Sequence, residues 1–267
     1  MKKTYLNNFL LWIGISAILY SCGSVPVTGR HQLLLVSDQE VLASSLTQYN
    51  EYMKSAPRST QKTQSAMVTR VGQQIATATE RYLKENGLEA ELKNFEWEFT
   101  LVKDEQINAF CMPGGKIVVY EGLMNVVSSD DELAVVIGHE VAHAVAKHSN
   151  ERMSQQILAN YGARLLSESL SQKSAAMQKL AQSVYGLGAQ YGVMLPFSRK
   201  HEYEADYMGL IFMRLAGYQP DAAVGFWQKM SSGATTSRSD CLSTHPSDAK
   251  RIAEIKRVLP EVKAKYQ

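Results

Sequence analysis

The sequence predicts an α+β domain that is mostly helical and contains one small β-sheet. Residues Phe95 to Leu101 alternate apolar and polar side chains, which is typical of a half-buried strand. Pro113 to Gly115 then predicts a turn into a second strand, Lys116 to Tyr120. From Glu121 onward, apolar residues recur at helical spacing and indicate a series of helices.

Length and composition suit one domain that follows a short leader. The chain has 267 residues, of which 45% are hydrophobic, enough for a full core. The net charge is +2 and 20% of the residues are charged. Such a balanced surface predicts no nucleic-acid partner.

The N-terminus predicts an exported, lipid-anchored protein. Two lysines precede a short apolar run, Leu6 to Leu19, and Tyr-Ser-Cys then ends at Cys22. This resembles a bacterial lipoprotein signal, in which residues 1–21 are removed and Cys22 is lipidated. An anchor helix is the alternative, but the apolar run is shorter than the roughly 20 residues that span a bilayer. We expect a tether over residues 22–30 and a cell-envelope location, on the periplasmic face of the outer membrane of a Gram-negative bacterium.

Two helices are expected between the tether and the sheet. Ser37 to Glu40 forms a capping-box pattern, which predicts a helix that continues to Met53. Ala56-Pro57 ends this helix. A second helix is predicted from about Thr60 to Asn86, with Gly87 at its C-terminal cap.

His139 and His143 form an H-E-x-x-H pattern inside an apolar helical run, Glu132 to His148. Side chains four residues apart share one helix face, so both imidazoles can reach one metal ion. Glu140 projects beside that ion, where it can accept a proton from a metal-bound water. These residue types at this spacing predict a zinc hydrolase site. A chance match with core or surface histidines is the alternative.

The best candidate for a third metal ligand is Glu202. It lies in a predicted helix that starts after Leu195 to Phe197, with Ser198 as its N-cap. Asp206 follows four residues later on the same face, where it can accept the second ring N–H of a ligating histidine. A solvated Glu–Asp pair is the alternative, but apolar residues such as Leu210 indicate a packed helix.

The other histidines are weaker candidates. His148 lies nine residues after His139, which would place it on the far side of a continuous helix, as a surface or capping residue. His201 is one residue from Glu202 and cannot share its direction, and Glu204 also faces elsewhere and is predicted to be structural. His245 precedes a proline, which holds it extended. It can therefore reach into a cleft as an oxyanion stabiliser or transient ligand, or it is an ordinary loop histidine.

Four segments carry a family resemblance: Asn108 to Gly115, Gly138 to His143, Glu202 to Asp206, and Thr244 to Arg251. Together they resemble the gluzincin zinc metallopeptidases of metallopeptidase family 48. That family includes prenyl endopeptidases, a heat-shock membrane protease and periplasmic proteases that tend outer-membrane assembly. The resemblance implies a zincin-like metallopeptidase domain over residues 31–267, with the small sheet bordering the active-site helix.

The resemblance also implies the composition of the site. One Zn²⁺ per chain would be held by His139, His143 and Glu202. Glu140 would be the general base. His245 would stabilise the transition state or cap the metal.

The small sheet gives the predicted protease a way to hold its substrate. An exposed strand edge binds an extended peptide through main-chain hydrogen bonds. The candidate edge is Ile107 to Met112, with Asn108 and Ala109 facing the substrate by family resemblance.

Two cysteines remain besides the lipidation site. Cys111 lies in the candidate edge strand and Cys241 lies four residues before His245. An oxidising compartment permits a disulfide between them. Two independent buried thiols are the equally supported alternative.

We therefore expect a zinc-dependent endopeptidase. By resemblance, its substrates are unfolded or misassembled envelope proteins, and its role is protein quality control at the membrane. The alternative is a lipid-anchored chaperone or assembly scaffold whose metal site is structural. Binding of His245 as a fourth ligand would silence the site in that way.

Overall fold

The structure is a computed structural model that describes residues 22–171, 174, 175, 177–179, 182, 195–232 and 249–266. The predicted signal peptide, residues 1–21, lies outside the described residues. The segment that contains Cys241 and His245 also lies outside them.

The described part of the chain is mostly helical, which confirms the predicted α+β class. The strands are β1 (Cys22–Ser24), β2 (His31–Leu33), β3 (Glu98–Val102), β4 (Ala109–Met112) and β5 (Lys116–Tyr120). The helices are α1 (Asp38–Ser55), α2 (Lys62–Glu85), α3 (Glu121–Met124), α4 (Asp130–Val145), α5 (His148–Ser169), α6 (Leu195–Leu215), α7 (Ala222–Ser231) and α8 (Ala249–Lys265). A 3₁₀ helix, Glu89–Asn94, precedes β3.

Two small sheets are present in the described residues. Strands β1 and β2 form an antiparallel hairpin. The second sheet has the order β3-β5-β4, with β5 parallel to β3 and antiparallel to β4. Strand β4 therefore lies at an edge of this sheet and packs beside α4.

Local sequence signals place several element ends correctly. Ser37 and Glu40 form the predicted capping box at the start of α1. Gly87 follows α2 with a φ of 71°, a left-handed conformation that favours glycine.

The predicted start of α6 is wrong. Helix α6 begins at Leu195, so Ser198 lies inside its first turn rather than at its N-cap.

Strand β3 is buried on both faces, not on one face as its alternating pattern predicts. Thr100 is buried together with Phe99 and Leu101. Helix α1 covers the second face, and the Tyr49 hydroxyl lies 3.3 Å from Thr100 Oγ1. The polar side chain of Thr100 thus contacts another element instead of water, whereas Glu96, before the strand, stays exposed.

The predicted tether, residues 22–30, contains ordered structure. It consists of strand β1 and the turn that joins β1 to β2. Val25 in this turn is buried in the main core. Among the described helices, none combines the length and the apolarity that crossing a bilayer requires.

Helices α4 and α6 cross at two glycines, which brings their backbones close together. A Cβ added to Gly209 would lie 2.9 Å from both the Gly138 carbonyl carbon and the His139 nitrogen. Both helices contribute to the main core, which also contains Ile137, Val141 and Ile211. The crossing fixes the distance between the H-E-x-x-H helix and the helix of Glu202.

Candidate metal centre

Helices α4 and α6 bring three potential metal ligands together in the core. His139, His143 and Glu202 are all buried, and each offers one donor atom within 4.8 Å of the others. His139 Nε2 lies 3.0 Å from His143 Nε2 and 3.2 Å from Glu202 Oε2. His143 Nε2 lies 3.5 Å from Glu202 Oε1. The three predicted ligands therefore face one point.

These distances fit a tetrahedral zinc ion. Nitrogen and oxygen ligands about 2.0–2.2 Å from a tetrahedral zinc lie about 3.3–3.6 Å from each other. The observed separations of 3.0, 3.2 and 3.5 Å are close to that range. Two histidines and one glutamate are also a ligand set of catalytic zinc sites that keep a fourth position open.

Asp206 contacts the opposite side of the His139 ring. Its Oδ1 lies 3.0 Å from His139 Nδ1. When His139 Nδ1 carries the proton, it donates to Asp206 and leaves the Nε2 lone pair directed at the metal position. Asp206 thus fixes the ring orientation that a metal ligand needs.

Arg251 is a fully buried cation that links the two carboxylates. Its Nε donates to Asp206 Oδ2 at 2.5 Å, and its Nη2 donates to Asp206 Oδ1 at 2.7 Å. Its Nη1 lies 3.3 Å from Glu202 Oε2. The guanidinium also stacks on Trp227, 3.9 Å from the ring centre. Helix α8 therefore contributes the positive charge that compensates Glu202 and Asp206.

These contacts change the pKa values of the paired groups. Burial raises the pKa of Asp206, but the charge and hydrogen bonds of Arg251 outweigh burial and lower it. Burial and Arg251 lower the pKa of His139, but hydrogen bonds to Asp206 and Glu202 outweigh them and raise it to about 9. Metal binding at His139 Nε2 must therefore compete with the binding of a second ring proton.

Glu140 lies between the two histidines of α4 and is buried. The Cys111 thiol of β4 interacts electrostatically with the Glu140 carboxylate. Burial raises the pKa of the Cys111 thiol well above its usual value, and the negative charge of Glu140 raises it further. Cys111 Sγ lies 3.3 Å from the Met112 carbonyl oxygen, and the residue is a free thiol within the described part of the chain.

The residues that resemblance assigns to substrate binding lie at the start of β4. Asn108 and Ala109 are buried, and the Asn108 carbonyl oxygen accepts a hydrogen bond from the Tyr120 nitrogen. The Asn108 Oδ1 has no hydrogen-bond partner among the described residues. The outer edge of β4 pairs with no described strand. Their substrate role stays a prediction.

The prediction for His148 is wrong. Helix α4 ends at Val145, Lys147 adopts a left-handed conformation with a φ of 55°, and α5 begins at His148. This break turns His148 back toward the metal centre, where it is fully buried. Its Nδ1 lies 2.8 Å from His143 Nδ1.

Behind His148 lies a cluster of buried polar groups. His148 Nε2 lies 3.0 Å from Glu204 Oε2, and Arg30 Nε donates to the same oxygen at 2.8 Å. Arg30 also makes two hydrogen bonds to Glu151, at 2.9 and 2.7 Å. His201 Nε2 lies 2.9 Å from Glu151 Oε2, and its ring stacks on His148. Glu204 and His201 are thus packed away from the metal position, as predicted.

The cluster has strongly shifted pKa values. Burial lowers the pKa of His148 to about 4, so this histidine is neutral at pH 7. Burial raises the pKa of Glu151, but hydrogen bonds from His201 and Arg30 outweigh it and lower the value to about 2. Glu204 behaves in the same way, with hydrogen bonds from His148 and Arg30, and its pKa is also about 2.

Two predicted site residues remain untested by the structure. His245 and Cys241 lie outside the described residues, so the role of His245 and the disulfide with Cys111 stay predictions. No role for Arg251 followed from the sequence, although this residue lies in a segment that carries the family resemblance. No glycine or proline lies next to Lys147 in the sequence to mark the helix break.

Comparison with known proteins agrees with this geometry. The sequence profile of peptidase family M48 matches residues 69–259. The mitochondrial metalloendopeptidase OMA1 of Schizosaccharomyces pombe is 37% identical over 178 residues, which cover 66% of this chain and 50% of the relative. OMA1 of Arabidopsis thaliana is 40% identical, over 67% of this chain and 35% of the relative.

A bacterial relative is also similar. The beta-barrel assembly-enhancing protease of Yersinia pestis is 31% identical over 176 residues, which cover 62% of this chain and 35% of the relative. The chain thus spans half or less of the length of these three relatives. The profile match includes the H-E-x-x-H helix, Glu202 and Arg251. The chain therefore belongs to peptidase family M48, a family of metallopeptidases.

Proposed function

We propose that this protein is a zinc-dependent endopeptidase whose centre is formed by His139, His143 and Glu202. The observation that carries the proposal is the convergence of these three donors on one point, with Glu140 buried beside them. Membership of a metallopeptidase family and the likeness to metalloendopeptidases support it.

In this proposal, the residues of the chain have separate tasks. A zinc ion held by His139, His143 and Glu202 would supply Lewis acidity and would lower the pKa of a water molecule from about 15.7 to about 7. Glu140 would accept a proton from the attacking water and pass it to the leaving amine. Asp206 and Arg251 hold His139 and Glu202 in the orientation that ligation requires.

The proposal is tested with purified protein and an unfolded protein as substrate. Glu140→Gln should keep zinc and the fold, yet lose nearly all hydrolysis, because a carboxamide cannot accept the proton. Mass spectrometry of the products and metal analysis are done on the same samples. Near-normal turnover by the variant would remove Glu140 from the mechanism. Absence of hydrolysis by the wild-type protein would favour the scaffold alternative.

We further propose that the substrates are unfolded or misassembled envelope proteins, cleaved in protein quality control. The N-terminal lipoprotein pattern supports this location, and the relative named for beta-barrel assembly supports the substrate class. Peptides that accumulate in envelope extracts with wild type but not with Glu140→Gln would identify these substrates. An identical peptide set in both strains would contradict the proposal.

The lipid anchor is tested separately. Cys22→Ser should abolish lipidation and signal cleavage by the lipoprotein route, and release the protein from the membrane fraction. Processing and membrane association like those of wild type would show that the lipoprotein interpretation is wrong.

A further inference from the structure

His143 has a hydrogen-bonding partner, His148, that lies outside the H-E-x-x-H pattern. If His143 directs Nε2 at the metal, its Nδ1 must carry the ring proton. His148 Nδ1 lies 2.8 Å away and can only accept that proton's hydrogen bond if it is unprotonated. The proton of neutral His148 is then on Nε2, 3.0 Å from the Glu204 carboxylate. Each hydrogen bond in this series, from His143 through His148 to Glu204, then has one donor and one acceptor.

This arrangement differs from the contacts of the other ligand histidine. His139 meets a carboxylate directly, at Asp206. On its Nδ1 side, His143 reaches the Glu204 carboxylate through the ring of His148, which is fully buried and stacked on His201. Partners of this kind fix the tautomer and orientation of a ligand histidine.

The carboxylate at the end of the chain is held from the N-terminus. Arg30, in the turn region before β2, bonds to Glu204 of α6 and to Glu151 of α5. Thr28 Oγ1 donates to the second oxygen of Glu204 at 2.5 Å. The N-terminal hairpin therefore joins the two helices that carry His148 and its carboxylate partner.

We propose that His148 is a positioning residue for the metal ligand His143, and that Arg30 of the N-terminal hairpin holds His148 through Glu204. The inference rests on the proposed zinc site. It adds that the affinity of that site depends on residues 25–30, which lie far from the zinc motif in sequence.

The first test compares two amide substitutions. His148→Asn places a carbonyl oxygen near the position of Nδ1 and keeps the contact with His143. His148→Gln places its amide near the position of Nε2 and keeps the contact with Glu204. Zinc dissociation constants are measured by competition with a chelating dye, and the absorption spectrum of the cobalt(II)-substituted protein reports ligand geometry.

We expect His148→Gln to weaken zinc binding by about 10- to 100-fold, as loss of such a partner does elsewhere. His148→Asn should stay closer to wild type in affinity and in cobalt spectrum. If His148 were merely structural, the Gln variant would bind zinc at least as tightly as the Asn variant. That order, or wild-type affinity in both variants, would overturn the proposal.

The second test examines the hairpin. Arg30→Met should weaken zinc binding in the wild-type background and have no further effect in the His148→Asn background, where the contact with Glu204 is lost. Arg70→Met, which breaks an exposed two-bond pair with Asp130, is the matched control and should leave zinc affinity unchanged. Equal effects of Arg30→Met in both backgrounds would refute coupling through His148.

If the proposed zinc peptidase function is wrong, the results differ from those expected when only the role of His148 is wrong. If wild type binds no zinc, or if Glu202→Ala binds it normally, the zinc site itself is wrong. If wild type binds one zinc and cleaves protein while the His148 variants match it, only the present inference is wrong.

Discussion

At the scale of single residues, the metal centre depends on buried charges that compensate each other. Arg251 is the cation for both Glu202 and Asp206, and all three side chains are almost completely buried. Removing one partner of a buried ion pair leaves the other charge without compensation, which is far costlier than losing an exposed pair. The residues that hold the ligands are therefore expected to matter for stability as well as for metal binding.

Arg251→Met should destabilise the chelator-treated protein by about 3–5 kcal/mol, because two buried carboxylates lose their cation. Arg257→Met, on the same helix, breaks an exposed pair with Glu254 and should leave the free energy of unfolding nearly unchanged. Urea unfolding measures both free energies. A cost for Arg251→Met no larger than that of Arg257→Met would contradict the compensating role.

The contribution of Glu151 to the free energy of unfolding should depend on pH. Its pKa falls from 4.5 to about 2 in the folded protein, so the folded state binds the proton less tightly than the unfolded state. The resulting stability is fully present above about pH 4.5 and is lost as the pH falls toward 2. The difference in unfolding free energy between wild type and Glu151→Gln should therefore shrink from pH 6 to pH 3. Glu168→Gln, in an exposed pair on the same helix, is the control, and a pH-independent difference for Glu151 would refute the assignment.

The sequence predicted those site residues whose positions follow from local spacing. His139 and His143 are four residues apart on one helix, and Glu202 and Asp206 repeat that spacing on another. His148 was mispredicted because the helix breaks at Lys147, an ordinary residue in a left-handed conformation. Arg251 reaches the centre through the packing of α8, which one-dimensional spacing does not report.

At the scale of elements, the crossing of α4 and α6 sets the geometry of the site. Gly138 and Gly209 let the two backbones approach, one residue before His139 and seven residues after Glu202. Any side chain there would push the helices apart and separate Glu202 from the histidines. The strands and helices themselves followed from sequence periodicity, but this close approach and the burial of both faces of β3 depend on tertiary contacts.

Gly209→Ala should destabilise the protein by about 1–3 kcal/mol, as overpacking does, and should weaken zinc binding. The added Cβ would lie 2.9 Å from the backbone of α4. Gly225→Ala is the matched helical control, because its Cβ would meet nothing within 4 Å. It should be stabilising by about 0.5–1 kcal/mol. Normal zinc affinity in Gly209→Ala would show that the crossing does not set the site geometry.

At the scale of the whole molecule, distant parts of the chain meet at one centre. The hairpin contributes Arg30, α4 and α6 contribute the donors, and α8 contributes Arg251. Strand β1 starts at Cys22, so the folded domain begins at the predicted lipidation site. Sequence alone predicted a tether here, because the contacts that order the hairpin come from residues more than 100 positions away.

The predicted disulfide would add a further long-range link. A bond between Cys111 and Cys241 would close a loop of about 130 residues, which chain-entropy arguments credit with roughly 4–5 kcal/mol. It would tie the segment of His245 to β4. Linked peptides in non-reducing mapping of protein from its native compartment would establish the pairing, and two free thiols would refute it.

Stepwise zinc loading shows whether one zinc ion at His139, His143 and Glu202 makes this chain a protease. Chelator-treated protein receives increasing zinc while bound metal and hydrolysis of an unfolded protein are measured together. We predict that activity rises in proportion to bound zinc and reaches its maximum at one ion per chain, and that Glu202→Ala neither retains zinc nor recovers activity. Hydrolysis that persists without metal, or full zinc binding by Glu202→Ala, would contradict the account.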